Sequence, residues 1–155
     1  MSTDVGVTGR GGTPAAQTFD AVAVGDELPA VTYNVHRINL VQYAGASGDF
    51  NVIHWNDRIA NAVGLPGVIA HGMYTMALGG RFVSEWVGDP GAVAEYGVRF
   101  TSMVPVPDDD AGASVEFSGT ISAKDEERRT ATVDITAVCN GAKVLGKAQA
   151  VVRLR

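Results

Sequence analysis

Asp49 and His54 stand five positions apart in "GASGDFNVIHWND" (residues 45–57), with Asn51 between them, in a chain that holds three histidines. A carboxylate and an imidazole brought to one point can pass a proton to or from a bound reactant, which is the chemistry of general acid–base catalysis. Each residue alone also has a structural role open to it. Asp49 follows the glycines at 45 and 48 and can order a turn or cap a helix, and His54 beside Trp55 can simply pack. Asn51 offers an amide that could orient a water or the carboxylate. Calcium fails on spacing, because a loop of the EF-hand type starting at Asp49 would need ligands where Ile53 and Ala60 stand. Zinc would need a third ligand; Cys139 is the only thiol and His71 could supply a nitrogen, and no metal is expected. Ser47 is not in a G-x-S-x-G elbow, so a serine nucleophile is not expected.

Further along, "GLPGVIAHGMYTM" (residues 64–76) places His71 and Gly72 at the start of a helical pattern. A helix that begins at Gly72 leaves backbone N–H groups free at the positive end of its dipole, a ready site for a developing oxyanion. His71 is expected to pack and fix the loop. An acid, a base and an oxyanion donor together exceed what capping explains.

The elements that must position these groups are of two kinds. Over residues 71–87, Met73, Met76, Ala77, Gly80, Val83 and Val87 recur at three- and four-residue steps, and Gly88-Asp89-Pro90-Gly91 stops the pattern. Gly79 and Gly80 fall inside this helix, where each costs roughly 1 kcal/mol relative to alanine, and a sheet pressed against the smallest residues is the expected offset. A shorter helix is expected in "NLVQYAGAS", with Leu40, Val41 and Ala44 partly buried.

The C-terminal half alternates with period two. Val115, Phe117, Gly119 and Ile121 share one face, as do Ala131, Val133, Ile135 and Ala137, and Asn140-Gly141 reads as a hairpin turn. "VTYNVHR", "AEYGVRF" (Tyr96, Val98 and Phe100 on one face) and "KVLGKAQAVVRL" complete about five strands, mostly joined as a meander. A curved antiparallel sheet around one long helix is the α+β hot-dog architecture.

The 155 residues make one domain, read as residues 17–155 after a leader over residues 1–16. A formal charge of −5 argues against nucleic-acid or anionic-membrane surfaces, which require clustered cations. No apolar run approaches the ~18 residues of a membrane span. The first residues have no apolar core of a secretory signal, and a cytoplasmic location is expected. Cys139, in a strand pattern, is read as a small buried hydrophobe.

"YAGASGDFNVIHWND" followed by "GVIAHGMYTMALGG" resembles the signature of the MaoC-like (R)-specific hydratases and dehydratases, and the similarity continues through residues 82–107. Over that longer stretch the chain is similar to the catalytic B subunit of mycobacterial-type (3R)-hydroxyacyl-ACP dehydratases. Two positions depart from the pattern: Val52 replaces a proline, and Gly80 stands where some hydratases carry a serine. The resemblance implies reversible syn loss of water from a (3R)-hydroxyacyl thioester carried on ACP or CoA. It assigns Asp49 and His54 to proton transfer, the Gly72 N–H to the thioester oxygen and Asn51 to orientation, with no metal or redox cofactor. It also implies a dimer, of two identical chains or of this chain with a paralogue, and an acyl tunnel, for which Met73, Met76 and Phe82 are the candidates. Arg58 and Arg81 are candidates for docking an acidic carrier, and a solvated surface role is equally open to each. The alternatives are an (R)-specific enoyl-CoA hydratase of fatty-acid breakdown or polyester precursor supply, a hot-dog thioesterase using Glu85, and a non-catalytic partner subunit.

Overall fold

The computed structural model describes residues 16–155, so the leader expected over residues 1–16 falls, but for Ala16, outside the described residues. In chain order the elements are β1 (Glu27–Val35), α1 (Arg37–Ser47), α2 (Asp57–Ala62), α3 (Gly72–Val87), β2 (Val93–Phe100), β3 (Ala113–Asp125), β4 (Thr130–Cys139) and β5 (Ala142–Arg153). Period-two alternation becomes burial as expected: Val115, Phe117, Ile121, Ala131, Val133, Ile135 and Ala137 all face the core, while Glu116, Thr120 and Asp134 face out. Val115 opposes Cys139 and Ile121 opposes Val133, which keeps both apolar sets on one side of the sheet. Asn140 and Gly141 have φ of 50° and 76°, the two positive values of a type I′ hairpin turn.

All pairings are antiparallel and the strand order is β1-β3-β4-β5-β2. The meander is therefore β3-β4-β5, and β1 and β2 take the two edges. On β2, Tyr96 and Val98 are half-buried while Phe100 is exposed, so the expected common face ends before Phe100.

α3 packs against the sheet, and its buried stripe is Thr75, Leu78, Gly79, Phe82, Val83 and Val87. This corrects the expected face: only Val83 and Val87 are shared with it, Met73 and Ala77 are exposed, and Met76 and Gly80 are half-buried. Both stripes obey the helical spacing. The observed one wins because it buries Leu78 and Phe82, which remove more apolar surface than the alanine and glycine of the other. A Cβ on Gly79 would collide with the Tyr96 hydroxyl and lie 3.3 Å from the Phe117 ring, so sheet and helix do meet at this glycine. Gly80 is different, since a Cβ there would meet nothing closer than 3.5 Å. The predicted close approach holds at one glycine of the two.

At the far end, Lys124 ties down the start of the described chain. Its ammonium donates to the carbonyls of Phe19 and Val22 at 2.8 Å each and sits 3.9 Å from the Phe19 ring centre. Among the described residues, no helix is long and apolar enough to cross a membrane.

Candidate active site

α1 ends at Gly48, whose φ of 77° and N–H bond to the Ala44 carbonyl turn the chain sharply. The turn delivers Asp49. Ser47 Oγ accepts the Asp49 N–H at 3.2 Å, and Asp49 Oδ1 accepts the Asn51 N–H at 3.2 Å. Asn51 Oδ1 in turn accepts the Ile53 N–H at 3.3 Å and caps a single 3-10 turn, Val52–His54, that carries His54 inward. The Asn51 backbone therefore orients the carboxylate, and its side-chain oxygen serves the cap. Val52, at the position of the missing proline, opens this turn without breaking it.

His54 is buried, and its Nδ1 lies 2.7 Å from the Ile69 carbonyl oxygen. A carbonyl only accepts, so Nδ1 carries the hydrogen and Nε2 keeps its lone pair for chemistry. His71 is buried as well, and its Nε2 donates to the Asp49 carbonyl at 3.0 Å, which fixes the loop as expected. Its Nδ1 is buried with no partner. The two imidazoles stack with centroids 3.8 Å apart at 25°, and Tyr43 lies 4.8 Å from the His71 ring. Burial holds the His71 pKa below its ordinary 6.5 and His54 pushes the same way, against the opposing pull of Asp49. His71 is thus kept neutral beside the pair.

One ligand-type atom from each of Asp49, His54 and His71 lies within 4.8 Å of the others. As a metal site this set is poorly shaped. Each histidine has one nitrogen bonded to a backbone carbonyl, and in near-parallel stacked rings the remaining in-plane lone pairs run side by side instead of converging. As a proton-transfer pair it is well shaped, with an exposed carboxylate next to an oriented imidazole.

α3 starts at Gly72 with no side-chain cap from His71. The helix's first internal bond runs from the Thr75 N–H to the His71 carbonyl, so the N–H groups of Gly72, Met73 and Tyr74 precede the ladder. The Phe100 ring lies against Gly72, 3.2 Å from where a Cβ would stand. The structure therefore brings Asp49, His54 and His71 together, with Asn51 in the intervening loop and Gly72 next in the chain after His71. The tunnel candidates separate: Met73 is exposed and Met76 half-buried, but Phe82 is 2% exposed and packs against Phe117 and Gly119. Phe82 faces the core because it lies on the buried stripe of α3, so it lines no open surface.

Arg81 is bound to Glu85 at 2.7 Å and lies over the Tyr33 ring, and Tyr33 donates to the same carboxylate at 2.8 Å. Arg58 is exposed. Sequence reasoning missed a second layer: Arg37 forks onto Asp57 at 3.0–3.1 Å, and Asp57 Oδ1 accepts the Val68 N–H at 2.9 Å. No local pattern signals a tie across 20 residues. It also missed the apolar rim, where Phe50, Trp55, Met73 and Phe100 are each more than half exposed.

Residues 20–139 match the family described as MaoC like domain. Over 84 residues the chain is 38% identical to 3-hydroxyacyl-thioester dehydratase X of Mycobacterium tuberculosis, covering 51% of this chain and 27% of that protein. Over 86 residues it is 38% identical to fatty acid synthase subunit beta of Schizosaccharomyces pombe, covering 53% of this chain and 4% of that one. The chain thus spans a small part of the length of either relative. A solved MaoC-like dehydratase superposes with a TM-score of 0.87 at 48% identity, over 92% of this chain and 44% of that chain. The family match spans β1 to β4, the long helix and the Asp49–His54 loop, and the chain belongs to the MaoC-like domain family.

Proposed function

We propose that this chain is a hydro-lyase that interconverts (3R)-hydroxyacyl and trans-2-enoyl thioesters. The observation that carries the reading is the adjacency of an oriented imidazole, an exposed carboxylate and a helix start with no side-chain cap. The α-proton of a thioester is too weakly acidic for an unaided side chain, so charge on the thioester oxygen must be met as it develops. The Gly72 N–H does this, an interaction on the order of 3 kcal/mol for comparable donors. In the hydration direction, one member of the Asp49–His54 pair takes a proton from water as oxygen attacks Cβ, and the other delivers a proton to Cα on the same face. Dehydration reverses both transfers. The pair therefore enters either direction with one transferable proton: neutral His54 is the base at Nε2 when Asp49 carries that proton, and the Asp49 carboxylate is the base when His54 carries it. No metal or redox cofactor enters these steps.

The relatives named as a thioester dehydratase and as fatty acid synthase subunits favour chain elongation on ACP. Hydration of enoyl-CoA uses the same groups and is the second reading. Thioester hydrolysis from Glu85 is disfavoured, because Tyr33 and Arg81 already hold that carboxylate at the outer surface. A non-catalytic partner would have no use for the pair retained here.

The active unit is a two-fold pair of hot-dog domains, with a second identical chain or a paralogue. The exposed edge β2 and the apolar rim around the site support it, since a tunnel walled by one chain alone would leave Phe50, Trp55, Met73 and Phe100 in water. A cytoplasmic location fits a water-soluble carrier. The test is incubation with crotonyl-CoA, following loss of enoyl absorbance, with the product offered to stereospecific 3-hydroxyacyl dehydrogenases. Signal with the (R)-specific enzyme alone is expected. An immediate signal with the (S)-specific enzyme defeats the reading, and so does enoyl-CoA left intact by both the homodimer and a co-expressed heterodimer.

A further inference from the structure

We infer that Arg37 and Asp57, which bond to neither member of the catalytic pair, are positioning residues that hold His54 in its reactive tautomer through the Ile69 carbonyl. The inference rests on the reading of His54 as a catalytic group. Its chain of contacts is short. The tautomer depends on one acceptor, the Ile69 oxygen, 2.7 Å from Nδ1. Ile69 sits in a strand-like segment whose neighbours are pinned on both sides. Val68 gives its N–H to Asp57 Oδ1 at 2.9 Å and accepts the Val106 N–H at 2.9 Å, and Ala70 donates to the Val104 carbonyl at 2.8 Å. Ile69 itself donates to the Ile53 carbonyl at 3.3 Å and bridges to Pro105.

Arg37 closes the arrangement. Its Nε donates to the Val106 carbonyl while both terminal nitrogens fork onto Asp57. One guanidinium thereby joins the start of α1, the start of α2 and both halves of the 68–106 pairing. Apart from α1, each joined segment is a loop or a helix of six residues, too short to hold its own orientation. Lysine cannot replace this guanidinium, because its single ammonium has no planar fork to serve the carbonyl and the carboxylate together.

The physical consequence is specific. If Val68 loses its Asp57 acceptor, the 68–70 backbone can drift, and the Ile69 oxygen is the group whose displacement matters. Without that acceptor a neutral histidine has no reason to keep its proton on Nδ1, and the base at Nε2 is lost in the molecules that hold it there.

The experiment uses the full-length protein labelled with ¹⁵N-histidine; three imidazoles make the long-range ¹H–¹⁵N spectrum assignable with single His→Gln variants. Wild type is expected to show His54 protonated on Nδ1. Asp57→Ala and Arg37→Gln are expected to shift His54 to a mixture of tautomers and to lower kcat on crotonyl-CoA by on the order of 10- to 100-fold with KM little changed. Asp57→Asn, which keeps an oxygen for the Val68 N–H, should retain most of both signals. Lys124→Ala removes two bonds at the opposite end of the domain and should lower the melting temperature with neither effect. An unchanged tautomer and unchanged kcat in Asp57→Ala overturn the inference, leaving the ion pair a purely stabilising one. If Asp57→Ala does not fold, Arg37→Gln and Arg37→Lys carry the same readout, and a wild-type tautomer and kcat in both would overturn it equally. A wild type with no hydratase activity would sink the proposed function, and the tautomer spectra would still decide the role of the clamp.

Discussion

The β3-β4-β5 meander and the segment from His36 to Gly72 satisfy their backbones in opposite ways. In the meander, N–H and C=O groups pair strand to strand, and side chains are left to fill the core. From 36 to 72, side chains do much of the pairing. Asn39 caps the His36 N–H, Asn51 caps Ile53, Asn56 caps Ile59 and Asp57 holds Val68, while both site histidines donate to carbonyls. A ladder presents its polar groups to itself, so it cannot aim one at a reactant. A segment built from caps holds polar side chains half-buried and pre-oriented, which is what proton transfer needs. Folding free energy and chemistry therefore reside in different parts of the chain, and substitutions in each should have different signatures.

The sharpest separation is expected at the pair. Asp49→Asn and His54→Ala should each lower kcat/KM by about 10²- to 10⁴-fold, and the double variant should be little worse than either. Asp49→Asn keeps the oxygen that accepts the Asn51 N–H and lies at the surface, so its unfolding free energy in urea should stay within about 0.5 kcal/mol of wild type. Multiplicative losses in the double variant would show two independent groups. The meander should behave in reverse: Phe117→Ala, at a fully buried position, should lose about 3–5 kcal/mol in denaturant while its folded fraction keeps wild-type turnover.

A smaller effect tests where helix and sheet meet. Gly80→Ala should stabilise by about 0.5–1 kcal/mol, because α3 gains a better helix former whose Cβ would make only ordinary van der Waals contact with the Tyr96 ring. Gly79→Ala should destabilise by about 1–3 kcal/mol, because its Cβ would enter the Tyr96 hydroxyl. Tyr96→Phe alone gives up the hydrogen bond to the Met76 carbonyl and should cost stability, yet in the Gly79→Ala background it should restore some. Additive effects in that double-mutant cycle would mean that the contact is not what forbids a side chain.

The same contrast explains what could be read from residues alone. Alternation, the Asn-Gly turn and the span of the long helix are local periodicities, and each appears where expected. The helix start at Gly72 was legible because it too is local, and the turn and 3-10 cap that place Asp49 and His54 are local as well. The face of α3 was not. Apolar residues lie nearly all round that helix, so two phases fit the spacing, and only the sheet opposite selects Leu78 and Phe82 over Met73 and Ala77. Phe82, a tunnel candidate by its residue type, is buried against the sheet for the same reason. Arg37, Asp57 and the Ile69 carbonyl were invisible because tertiary ties have no period.

The smallest expected effect lies at the seam of the two systems, in His71. Its ring is buried with the His54 ring stacked on it and Tyr43 beside it, and it is bonded to the Asp49 carbonyl. Desolvation lowers its pKa below the ordinary 6.5, the neighbouring His54 adds to that, and the Asp49 carbonyl and carboxylate act against it. The sign follows. Unfolded, the imidazole takes up its proton near its ordinary value, whereas folded it resists until the pH falls to its depressed value. The stabilisation is therefore present above about pH 6.5 and is lost as acid carries the pH down through that window. His71→Gln keeps an N–H donor for the Asp49 carbonyl and removes the titration. Urea unfolding at pH 7.5 and pH 5.5 should show wild type losing more stability than the variant between the two. Equal losses would mean that His71 gains its proton as readily folded as unfolded, and that the ring beside His54 is not held neutral.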